Sequence, residues 1–137
     1  MRKPQLPIPA LPEPKPLCWI ASSRGDICQL PKDEQRIFGF ALRTAQRGDK
    51  HEDAKPLRGF GSAGVLEVVA NYDGDTFRAV CTVRPAGRVY VLDVFQKKSK
   101  TGAVTPKRNI DRIKTRLRKA EQEHKDWLEK NEKDKQP

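Results

Sequence analysis

The spacing of apolar positions changes several times along the chain, and each change predicts an element. Leu17-Cys18-Trp19-Ile20-Ala21-Ser22 is a short apolar run that predicts a first strand over 17–22. Between 31 and 48 the spacing becomes helical, with Ile37, Phe38, Ala41, Leu42 and Ala45 on one stripe. Pro31 suits a first turn, Asp33 and Glu34 lie near the positive end of the dipole, and Gly48 ends the pattern. Gly39 weakens the helix interior. Residues 49–64 are aperiodic and glycine-rich and read as a loop. Strands follow over 65–72 and 75–83, flanking Asp73-Gly74, a strong two-residue hairpin signal. A third strand over 88–96 follows the turn at Arg84-Pro85-Ala86-Gly87. It is apolar at nearly every position, which places it centrally with both faces covered. A last helix begins where Thr105 can cap and Pro106 can take the first helical position. Its stripe is Ile110, Ile113, Leu117, Ala120, Trp127 and Leu128, and its turns from Glu121 on are mixed in charge and expected to fray.

Strand, helix, three-stranded meander and helix define an α+β fold: a small antiparallel sheet with an N-terminal strand and packed helices. The length of 137 residues suits one domain. Six of the eleven prolines fall in residues 1–16, so that segment reads as an extended, polyproline-like tail. The expected organisation is a tail over 1–16, a folded domain over 17–125 and a charged tail over 126–137. The first residues contain no apolar core long enough for a secretory signal, and no run could span a bilayer. A cytoplasmic protein with no membrane association is the expectation.

Charge changes the picture more than composition does. The formal net charge is +10, and residues 97–119 alone hold ten Lys or Arg against one acid, Asp111. The rest of the chain is nearly neutral. A single cationic segment attracts polyanions and speeds their encounter, without choosing among RNA, DNA and acidic proteins.

Cys18, Cys28 and Cys81 have neither the number nor the spacing of a disulfide framework or a zinc site. Cys18 and Cys81 lie in apolar runs, where a thiol acts as a small hydrophobe. His51 and His124 are isolated, no motif of a metal or triad hydrolase is present, and neither a metal nor another cofactor is expected. Metal-free RNA cleavage needs less. The nucleophile is the substrate's own 2′-OH, and the protein must align it, stabilise charge on the phosphoryl oxygens and help protons move. Fixed Arg and Lys side chains meet the second need. Arg78 interrupts an apolar strand beside the hairpin turn, where it is either an exposed strand-face residue or one lining a polar groove. Facing the core, it would need a partner. Because neighbouring strands of a meander run in opposite directions, Arg78 can approach Lys97 or Lys98 at the end of the next strand.

These stretches carry a resemblance. "KPLRGFGSAGVLEVV", "GDTFRAVCTV" and "VYVLDVFQKKSKTGAVTPKRNIDRIKTRL" closely resemble the RelE/HigB-like toxins of bacterial type II toxin–antitoxin systems, particularly the phage-derived HigB-like branch, over about residues 17–125. The resemblance implies a RelE-like fold and a toxin that cuts mRNA, commonly on the translating ribosome, by 2′-OH attack. It also implies a cognate antitoxin, often with a helix-turn-helix domain, through which alone the operator DNA is reached. Carried over by position, Arg78, Lys97 and Lys98 form the implied catalytic set. Lys55, Arg58, Lys100, Lys107, Arg108, Arg112 and Arg116 are the candidate RNA contacts. The chain departs from the pattern where Val68 and Val69 follow Glu67 in place of an arginine. It departs again at Cys81, which replaces an aromatic, and in "SKTGAVTP", which lacks a base-stacking ring. Tyr72 or Phe60 is the substitute ring. Two other readings stay open: inhibition of DNA gyrase by protein–protein contact, as in the related ParE branch, and nucleic-acid binding without chemistry.

Overall fold

The computed structural model describes residues 14–61, 63–72, 74–84, 87–97 and 105–135. In chain order these form β1 (Leu17–Trp19), α1 (Ser23–Cys28), α2 (Lys32–Gln46), β2 (Ala54–Pro56), β3 (Val65–Tyr72), β4 (Asp75–Thr82), β5 (Val89–Lys97) and α3 (Lys107–Lys135). The five strands form one sheet in the order β1-β5-β4-β3-β2. The β2–β3, β3–β4 and β4–β5 pairs are antiparallel, while β1 joins β5 in parallel. The α+β expectation holds, with two elements that the apolar spacing did not signal: α1 and the three-residue β2.

Strand alternation divides the sheet into two faces. Leu66, Val68, Ala70, Phe77, Ala79, Cys81, Val89, Val91 and Val94 pack against Ile27 of α1 and Phe38, Ala41, Leu42 and Ala45 of α2. The opposite face carries Val65, Val80, Tyr90 and Leu92 against Ile113 and Ala120 of α3, with Ile20 and Leu57 completing that core. β5 is covered on both faces, as its continuous apolar run requires. Cys81 is buried in the first core, where burial pushes its thiol pKa up to about 12. It packs as a small hydrophobe.

The boundaries have local causes. The strand expected over 17–22 stops at Trp19, because Ala21 takes a positive φ of 52° and turns the chain into α1. Ser23 then donates its hydroxyl to the Val91 carbonyl at 3.1 Å, fixing α1 on β5. Gly48, at φ 85°, closes α2 with its amide on the Ala45 carbonyl, and the Asp49 amide reaches the Thr44 carbonyl at 3.0 Å. The hairpin has its two-residue turn: Tyr72 pairs with Asp75, and Gly74 lies at φ 84°. Asp73 itself falls outside the described residues, as do 1–13 of the proline-rich segment. Lys15 and Pro16, assigned to that segment by composition, are docked. The Lys15 amide donates to the Gln46 carbonyl at 2.8 Å, and the Pro16 carbonyl accepts from Val89 at 3.0 Å.

One irregularity shapes the face under α3. Val80 pairs with Asp93 and Cys81 with Val91, so Leu92 is an extra residue, a β-bulge. The bulge sends both Leu92 and Asp93 toward α3. Leu92 enters the core there, and Asp93 accepts from Arg112 and Arg116. α3 runs antiparallel to β5 and stays helical to Lys135, past the Glu121 region where fraying was expected. Its second half is held by an aromatic cluster. Tyr90 and His124 meet edge to face with ring centroids 5.8 Å apart, and His124 lies 5.5 Å from Trp127. The Arg88 guanidinium sits over the Tyr90 and Trp127 rings at 5.3 and 5.1 Å.

Candidate nucleic-acid interface

The interface lies on the α3 side of the sheet, at the end where β5 finishes. Register builds it. Lys55 of β2 pairs with Glu67 of β3, Val69 pairs with Arg78 of β4, Arg78 pairs with Phe95 of β5, and Lys97 closes the ladder opposite Thr76. Directly paired residues share a face, as do residues two apart on a strand. Lys55, Glu67 and Arg78 therefore share one face, and the backbone of Lys97 lies one pleat period from Arg78's partner. The expected approach of β4's start to β5's end is present in the ladder.

Arg78 is only 3% exposed and donates through Nη1 to Glu67 Oε1. The other carboxylate oxygen, Oε2, accepts from the Thr105 hydroxyl at 2.6 Å. Of the readings open in the sequence, an exposed strand-face arginine, one lining a polar groove and one facing the core with a partner, the structure shows the last, as a buried ion pair. The fully desolvated cation needs a counter-charge, and Glu67 supplies it. Among the described residues Arg78 Nε has no hydrogen-bond partner. Thr105 does not cap α3 as expected. Its hydroxyl is committed to Glu67, the helix starts at Lys107, and the Asn109 and Ile110 amides reach back to the Pro106 carbonyl at 3.0 Å. That bond fastens the start of α3 over the Arg78–Glu67 pair.

A second ion-pair group lies further along the helix. Asp93 is 1% exposed and accepts from Arg112 Nε at 2.8 Å and from Arg116 Nη1 at 3.1 Å. Arg116 also donates to the Leu92 carbonyl at 2.9 Å and the Ser22 hydroxyl at 3.2 Å. Burial pushes the Asp93 carboxyl above the usual carboxylate range, against the pull of both arginines. Arg112 and Arg116 were expected to face RNA. Arg116 is instead enclosed by protein acceptors, while Arg112 keeps a side chain 44% exposed and lies 5.9 Å over the Phe95 ring.

The remaining candidates separate cleanly. Lys55, Arg58, Lys107 and Arg108 are exposed. Lys107 and Arg108 occupy a first helical turn with no acid in it, where the helix dipole adds positive potential. Lys98 and Lys100 lie outside the described residues, and only the backbone of Lys97 is described. Phe60, one of the two rings considered for stacking on a base, is half-buried against the α3-side core. Phe95 is a half-buried ring on the interface that the sequence reading passed over, although its place two residues before Lys97 pointed to it. Among the described residues no group of three or more His, Cys, Asp or Glu could hold a metal ion, and no helix is long and apolar enough to cross a membrane.

A small α+β sheet with one cationic end is the frame into which the comparisons fall. A family model described as "Phage derived protein Gp49-like (DUF891)" matches residues 25–118, more than half of the chain. The chain belongs to this Gp49-like family. Among solved structures, it is similar to a chain of the toxin–antitoxin complex RelBE2 from Mycobacterium tuberculosis, with 22% identity and a TM-score of 0.42. That match covers 63% of this chain and 94% of the other. No curated protein matches.

Proposed function

We propose that the protein is the toxin of a type II toxin–antitoxin system, a metal-free endoribonuclease that cleaves mRNA on the ribosome by 2′-OH attack. The observation that carries this reading is the register that sets Lys55, the Arg78–Glu67 pair and the end of β5 on one face beneath the cationic start of α3. Membership of the Gp49-like family and the resemblance of the FQKKS–TPK stretch to RelE/HigB-like toxins support it. In this reading Lys97 and Lys98 neutralise charge developing on the phosphoryl oxygens. Arg78, held by Glu67, is the fixed cation of the face on which β5 ends. Lys55, Arg58, Lys100, Lys107 and Arg108 track the flanking phosphates, and Arg112 adds its exposed half. A cognate antitoxin covers the toxin when both are made. One observation favours a second reading. Arg78 is committed to Glu67, and Val68 and Val69 follow Glu67 where the related toxins often carry an arginine, so the cationic catalytic set is small. The same fold would then act by protein–protein contact, as in toxins that inhibit DNA gyrase.

The test is induced expression in cells with mapping of mRNA 5′ ends, alongside a Lys97→Gln, Lys98→Gln variant. These positions leave the Arg78–Glu67 pair intact, so loss of activity is separable from loss of fold. Growth arrest with new in-frame cuts that disappear in the variant is the expected result. Arrest with intact mRNA would sink the nuclease reading and leave the gyrase-type one.

A further inference from the structure

The outer face of α2 has no part in the interface above, from which the sheet separates it. Lys32, Arg36, Gly39, Phe40, Arg43 and Arg47, the helix's C-cap, are all exposed. At 3.6 residues per turn they share one stripe, opposite the buried Phe38, Ala41, Leu42 and Ala45. Phe40, 64% exposed, lies in the middle. A lone exposed apolar residue is ordinary, but this one is placed. His51 braces the ring edge-on, with centroids 5.5 Å apart. Gly39 beside it leaves bare backbone where a Cβ would meet nothing within 4 Å, although alanine would suit the helix better. The flanking charge is cationic. On α2 itself Asp33 is the acid beside this stripe, and its contact with Arg36, at 3.9 Å between two exposed groups, leaves that cation available; Asp53, on the segment after the helix, lies 3.8 Å from His51 Nδ1.

We propose that this face docks an acidic, apolar-anchored helical segment of a partner protein. One apolar side chain of the partner sits in the notch over Gly39 against Phe40, and its carboxylates meet Lys32, Arg36, Arg43 and Arg47. Charge complementarity selects an acidic partner. A straight, convex helix face with a one-residue notch fits an apolar side chain better than a planar base. The inference stands whether or not the chain cleaves RNA.

The probe is a synthetic glutamate-rich helix with one leucine stripe, compared with its leucine-to-serine analogue and a short oligouridylate. Binding to the full chain is followed by amide chemical shifts and fluorescence anisotropy. The expected footprint covers α2, Arg47 and His51. Phe40→Ala weakens binding about tenfold, as for a central anchor, and Arg36→Glu with Arg43→Glu abolishes it. Gly39→Ala raises the melting temperature while weakening binding, a pairing that a purely structural glycine would not give. These positions are exposed, so the variants should fold, and circular dichroism checks that. A footprint on α3, an unaffected Phe40→Ala, equal binding of the serine analogue, or tighter binding of the oligouridylate to α2 would each overturn the proposal. Lys97→Gln should leave this binding unchanged, which keeps failure of this proposal distinct from failure of the nuclease reading.

Discussion

Among the described residues, removing Arg78 leaves the Glu67 carboxylate with the Thr105 hydroxyl as its remaining partner, in a site where Arg78 is 3% and Glu67 8% exposed. Breaking a buried ion pair from one side costs about 3–5 kcal/mol, because the surviving charge stays desolvated. Against a typical domain stability of about 5–15 kcal/mol, that is a large share. Arg78→Ala should therefore lower unfolding stability by about 3–5 kcal/mol and the melting temperature by roughly 10–20 °C. Arg78→Met with Glu67→Met removes both charges and keeps volume. It should recover all but about 1–2 kcal/mol, the residue being Thr105 left without its acceptor. Urea unfolding at neutral pH, read through Trp19 and Trp127, measures Arg78→Ala and, for the cycle, Arg78→Met, Glu67→Met and the double variant. A coupling of about 2 kcal/mol or more is expected between two charges in direct contact. A loss below about 1 kcal/mol for Arg78→Ala, or effects that simply add, would refute the view that Glu67 holds Arg78. The consequence for testing the proposed function is practical: a lost growth arrest in an Arg78 variant means little unless folded protein is quantified.

Two further predictions follow the charges on α3. Arg116 donates three hydrogen bonds to protein groups, one of them to the Asp93 carboxylate, while Arg112 is half in solvent, so urea unfolding should show Arg116→Ala losing about 2–4 kcal/mol and Arg112→Ala no more than about 1; equal losses would contradict the assignment. Burial first, and then the Arg88 charge, lower the His124 pKa, so the unfolded chain takes up a proton near about pH 6.5 before the folded one does. His124's contribution is thus present above that pH and is lost as pH falls toward the folded-state value. Stability followed from about pH 8 to 5 should decline more steeply in the wild type than in His124→Gln, and parallel profiles would count against a neutral, packed histidine.

Much of the fold was legible because the period of the apolar positions and the turn residues agree. The Asp73-Gly74 turn did more than mark a hairpin. Counting back from it pairs Val69 with Arg78 and puts Glu67 one pleat along on the same face, so the buried ion pair was recoverable from sequence arithmetic. Glu67 and Asp93 each stand in an apolar strand with an arginine as partner. The Asp93 group could not be counted in the same way. It depends on the bulge at Leu92, and an extra residue inside an uninterrupted apolar run leaves no mark on the pattern. α1 and β2 were missed for a related reason. Each is short, and α1 exists because Ala21 turns the chain and Ser23 bonds across to Val91, a contact 68 residues away.

The cationic surplus of residues 97–119 has two parts with different consequences. Arg112 and Arg116 spend charge on Asp93, and that pairing fixes where α3 lies on the sheet. Lys107 and Arg108 are exposed in a first turn without acids, where the dipole repels them, so they cost the helix stability rather than adding to it. A bound anion reverses that sign, since phosphate at a helix N-terminus is favoured by the dipole and by the two cations together. Thr105 ties this turn to the Glu67 that holds Arg78, so the start of the helix and the buried arginine share one carboxylate. A phosphate arriving there would relieve repulsion that the free protein carries. The end of α3 that looks least stable in isolation is thereby the end best prepared for a polyanion.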